Sequence, residues 1–128
     1  MFKVQMEKVI APSKTIATSN YDLHLTPKYA IVMYLNSSNL DTNILQEVRN
    51  HLKEYYQGVE FVLINQRTDT KIDPKYYRSA LSNMKGVAVV APFENIREDL
   101  VEEQKNWSRS FAVFNDLEEA KHWALHSF

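Results

Sequence analysis

Val59-Glu-Phe-Val-Leu-Ile-Asn65 (VEFVLIN) and Gly86-Val-Ala-Val-Val-Ala91 (GVAVVA) decide the fold. Both are short, rich in branched apolar residues and almost free of polar alternation. A strand that is apolar on both sides needs cover on both faces, the situation of a parallel sheet flanked by helices. Ala30–Leu35 (AIVMYL) and Ser110–Phe114 (SFAVF) read the same way.

Helical spacing fills the gaps between these runs. Ile44, Leu45, Val48, Leu52 and Tyr55 recur at intervals of three and four, which predicts a helix over Thr42–Gln57. Asp41 or Thr42 can accept its first N–H groups, and Gly58 can end it in a left-handed conformation. Asp73-Pro74 predicts the start of a short helix reaching about Asn83. Asn95–Trp107 forms the next, with Ile96, Leu100, Val101 and Trp107 inward. Asp116 and Glu119 have capping-box spacing and open a last helix that turns Leu117, Ala120, Trp123 and Ala124 inward.

The N-terminal part follows a different period. Tyr21, Leu23 and Leu25 alternate with Asp22, His24 and Thr26, the pattern of an antiparallel strand buried on one side. Thr15–Thr18 extends it upstream, and Pro27-Lys28 breaks it before Ala30. The expected architecture is α/β: a mostly parallel sheet of four to five strands, antiparallel N-terminal strand(s) and about four helices. One domain spans residues 1–128, with 1–14 expected to be loosely attached.

Composition narrows the function. The 15 basic and 16 acidic residues leave a net charge of −1. No basic stripe is present to meet phosphates, so nucleic acid is not an expected partner. The chain has no cysteine, which excludes disulfides, thiol nucleophiles and cysteine-ligated metals. Apolar residues near the N-terminus are interleaved with Lys3, Glu7 and Lys8, unlike a signal peptide. No apolar run approaches the roughly 20 residues of a membrane span, so a cytoplasmic location is expected. Only two glycines are present, too few for a phosphate-cradling loop, and no nucleophile motif appears.

The stretches Phe61–Tyr77 (FVLINQRTDTKIDPKYY), Lys85–Ala91 (KGVAVVA) and Phe111–Ala124 (FAVFNDLEEAKHWA) resemble the small bacterial STAS, or SpoIIAA-like, domains related to anti-sigma-factor antagonists. The likeness is to stand-alone, Bacteroidetes-type members and covers about residues 20–126. The resemblance implies a β-α-β order of four or so strands and a role as an interaction module. In some members of that family a serine at the start of the second helix is phosphorylated. The matching stretch here, Thr68–Pro74, holds no serine and no glycine, and its hydroxyls are Thr68 and Thr70.

The candidate ligand or partner site is Asn65, Arg67, Thr68, Asp69 and Thr70, leaving the carboxyl end of a central strand, where ligands of open α/β sheets collect. Arg67 offers a planar fork of donors to a carboxylate or phosphate. The bland alternative pairs it with Asp69 or Asp73 in a solvated loop. Thr68 and Thr70 are the phosphorylation candidates. His122 and His126 have i, i+4 spacing, but no obvious further ligand, so no metal and no cofactor is expected. Of the adjacent pairs Tyr55-Tyr56 and Tyr76-Tyr77, one member is expected in the core and the other on the surface. The expected function is a non-enzymatic regulatory or protein-interaction module of signalling type. Its partners are proteins, a second copy of the chain among them. The alternative is a carrier for a lipid-like or anionic small molecule, held in an apolar pocket between sheet and helices.

Overall fold

A computed structural model describes residues 12–35, 42–67, 80–91 and 97–128. Six strands form one mixed sheet: β1 (Lys14–Ala17), β2 (Tyr21–Leu25), β3 (Tyr29–Tyr34), β4 (Phe61–Gln66), β5 (Met84–Val90) and β6 (Ser110–Phe114). Among the described residues there are three helices: α1 (Thr42–Tyr56), α2 (Arg97–Lys105) and α3 (Leu117–His126). None is long and apolar enough to cross a membrane. The strands lie side by side in chain order, β1 to β6. β1, β2 and β3 pair antiparallel, and β3, β4, β5 and β6 pair parallel.

The α/β class stands, and the strand count is corrected from four or five to six. Thr18 is the reason. Its Oγ1 accepts the backbone N–H groups of Asn20 and Tyr21, each at 3.0 Å. That side-chain turn reverses the chain. Lys14–Ala17 therefore folds back on β2 as a strand of its own instead of prolonging it. The helix expected from Asp73 falls mainly outside the described residues. Its expected end does not: residues 80–83 are not helical.

Period two sorts the side chains onto two faces. Tyr21, Leu23 and Leu25 are buried as the alternation requires, while His24 points out and bonds Thr15 Oγ1 at 2.7 Å. On the first face Leu23, Val32, Phe61, Leu63, Val87 and Val89 pack under Leu45, Val48, Leu52 and Tyr56 of α1 and Leu100 of α2. On the second, Val62, Ile64, Ala88 and Val90 pack under Ala120 and Ala124 of α3. Two helices thus share one face, and α3 is the one described helix on the other. Full burial of each such aliphatic side chain contributes roughly 1.5–3 kcal/mol.

Local chemistry fixes the helix ends. α1 stops where Gln57 (φ 46°) and Gly58 (φ 85°) both enter the left-handed region. Glycine bears that conformation without a Cβ clash. Tyr56 then lies flat on Phe61, with ring centroids 4.0 Å apart, and its hydroxyl donates to Thr26 O at 2.7 Å. Burial pushes its phenol well above the usual range. Tyr55 is only half-buried, as the expected division of the pair requires; Tyr76 and Tyr77 lie outside the described residues. α3 begins as the spacing predicts, with Asp116 Oδ1 accepting from Glu119 N at 2.9 Å.

Candidate functional site

β4 carries the candidate site. Phe61, Leu63 and Asn65 alternate onto the face covered by α1 and α2, and the ladder continues one residue past the strand, where Arg67 N donates to Val90 O at 2.9 Å. Asn65 and Arg67 are therefore held side by side at the carboxyl end of the sheet, both buried.

Arg67 is not offered to solvent. Its Nη1 donates to Glu103 Oε2 at 2.7 Å and its Nη2 to Glu103 Oε1 at 2.6 Å. Both side chains are almost wholly buried, 3% and 2% exposed. The two planar groups meet in the fork-to-fork geometry that gives charge-assisted hydrogen bonds their strength. Among the described residues the partner of Arg67 is a residue of α2; Asp69 and Asp73, its expected loop partners, lie outside the described residues. An incoming anion would have to displace Glu103.

Asn65 is 2% exposed, and its Oδ1 has no hydrogen-bond partner among the described residues. A buried amide oxygen left unmet costs about 1–3 kcal/mol. It is placed to accept an N–H from whatever lies above the strand end. Thr68, Asp69 and Thr70 lie outside the described residues, so the structure joins Asn65 and Arg67 but leaves the rest of the candidate set unplaced.

Glu103 is the residue that sequence reasoning missed. It stands in an acidic stretch, Glu94–Gln104, whose pattern fits a solvated face or a surface for a basic partner. The buried stripe of this segment is Leu100, Glu103 and Trp107, spaced i, i+3 and i+7, whereas Val101, expected inward, is 50% exposed. That stripe was the available signal: a carboxylate lay between two apolar anchors on one helical face.

The strand order also bears on the site. Ligand crevices in open α/β sheets form where the order reverses and successive helices part to opposite faces. The parallel strands β3 to β6 run in unbroken sequence, and α1 and α2 share a face. Topology therefore opens no such crevice among the described residues.

His122 and His126 place their rings 4.4 Å apart on α3, and among the described residues no further His, Asp or Glu joins them to form a metal-binding group. No family model, curated protein or solved structure matches this chain.

Proposed function

We propose that this protein is a non-enzymatic regulatory or protein-interaction module of STAS type, presenting the carboxyl end of its sheet to a protein partner. The observation that carries this reading is the buried Arg67–Glu103 pair. It ties the residue that follows β4, from which the chain runs on to Thr68–Thr70, to α2, so strand end and helix share one base. A preformed base lowers the ordering cost of association. Arg67 acts here as a positioning residue. The contacting groups are Thr68, Asp69 and Thr70 together with the outward side of α2, where Val101 is exposed. The resemblance of Phe61–Tyr77 and Phe111–Ala124 to STAS domains supports the same reading, as does the β-α-β order. A phosphate on Thr68 or Thr70 would add close to two negative charges beside Asp69 and alter that surface.

The test is affinity capture from the native host with three baits: the unaltered chain, Val101→Asp, and Thr68→Ala with Asp69→Ala. The expected result is a protein recovered by the first bait and lost from the other two, while all three keep the same circular dichroism and melting temperature. Equal recovery of the same protein by all three baits would overturn the assignment of this surface.

A further inference from the structure

At the opposite, amino-terminal end of the parallel strands lies a hollow of about 400 Å³. The turn before β3, the entry to β4, the start of β5 and the end of α3 enclose it, through Pro27, Lys28, Val59, Lys85, Leu125 and Phe128. Its volume is within the range of small-molecule sites.

Three features distinguish it from ordinary surface. Among the described residues the exposed large apolar side chains are Val101, Leu125 and Phe128, and two of these three line the hollow. Its apolar wall is packed against its neighbours. The Phe128 ring meets Trp123 edge-on, with centroids 5.0 Å apart, and rests where Gly86 has no side chain. A Cβ at position 86 would lie 2.8 Å from Phe128 Cζ, closer than real contacts allow. Glycine inside a strand often marks such a close approach. The third feature is charge: Lys28 and Lys85 border the hollow alongside Glu60, and none of the three is ion-paired among the described residues. Lys85 Nζ is held 5.2 Å from the Phe128 ring centroid, at the junction of the cationic and apolar parts.

We infer that this hollow binds an amphipathic anion, its apolar body against Val59, Leu125 and Phe128 and its carboxylate or phosphate head between Lys28 and Lys85. The site is independent of the interaction surface at the other end of the sheet. It gives the small-molecule alternative a location outside the sheet–helix interior, where that alternative was expected.

The experiment titrates the isotope-labelled full chain with decanoate, decyl phosphate and neutral decanol, each below its micelle concentration, and follows amide shifts. The expected result is saturable shifts clustered at Lys28, Val59, Lys85, Leu125 and Phe128. Decanol should bind at least about tenfold more weakly, the loss expected for one charge-assisted contact. The variant Lys28→Glu with Lys85→Glu should weaken both anions by at least as much. Leu125→Asp, at an exposed position that does not threaten folding, should abolish binding of all three. Tighter binding of decyl phosphate marks a phosphate head group, and tighter binding of decanoate a carboxylate; either supports the site. If the lysines only answer the carbonyl end of α3, decanoate and decanol will bind alike. That result, shifts centred elsewhere, or no saturable binding of either anion overturns the inference.

Discussion

Arg67 and Glu103, 36 residues apart in the chain, meet through two guanidinium nitrogens and both carboxylate oxygens inside the protein. Removing one partner takes from the other, a buried charge, its two-fold contact. Arg67→Ala is therefore expected to destabilise the fold by about 3–5 kcal/mol. Replacing both, as Arg67→Met with Glu103→Leu, should restore stability to within about 1 kcal/mol or exceed the starting value. Urea denaturation of the two variants checks the contrast. Equal losses would show that the pair does not act as a unit.

Gly86 and Phe128 make a second separable pair. Gly86→Ala sets a Cβ against the far end of the Phe128 ring, which is 45% exposed and can yield. The cost should therefore be about 1 kcal/mol, the low end of the overpacking range. Phe128→Ala removes the obstacle, so Gly86→Ala should cost much less in that background. A double-mutant cycle of melting free energies reads the coupling directly. Additive losses would mean that the contact is slack.

Tyr56 sets an alkaline limit. Its phenol pKa is raised chiefly by burial, and those of Tyr21 and Tyr55 are raised for the same leading reason. An unfolded tyrosine releases its proton near pH 10, while the folded one keeps it. Above that pH the native state binds more protons, so stability falls as pH rises, by about 1.4 kcal/mol per unit for Tyr56. Below pH 10 these groups contribute no slope. Tyr56→Phe loses the bond to Thr26 O, a cost of about 0.5–1.5 kcal/mol at neutral pH. It should nevertheless decline less steeply between pH 10 and 12. Parallel pH profiles of the two proteins would contradict this account.

Asp116→Ala tests the start of α3. Losing the cap to Glu119 N should cost about 1 kcal/mol. Asp116→Asn should recover most of it, which thermal unfolding followed by circular dichroism will show.

Much of this architecture was legible because it is local. Tyr21, Leu23 and Leu25 announce β2 by alternation. Phe61–Ile64 and Val87–Val90 announce β4 and β5 by its absence. Asp116 and Glu119 mark the start of α3 by spacing alone. What stayed hidden depends on residues far apart. Glu103 looks like any surface carboxylate until Arg67 is brought beneath it. Val101 has the apolar character of an inward residue, yet helix phase gives that place to Leu100 and Glu103. The separate strand β1 turns on one hydroxyl, that of Thr18, which no hydrophobic period reports. The hollow beside Phe128 is assembled from four segments and has no motif at all.

The one-sided placement of α1 and α2 has a consequence for the order of manufacture. During synthesis all six strands leave the ribosome before α3 does. Until Leu117–His126 emerges, no described helix shields the stripe formed by Val62, Ile64, Ala88 and Val90. Among the described residues that side of the nascent sheet is left bare, the sort of surface on which incomplete chains clump and chaperones grip. Premature termination before Leu117 would turn that passing exposure into a permanent one.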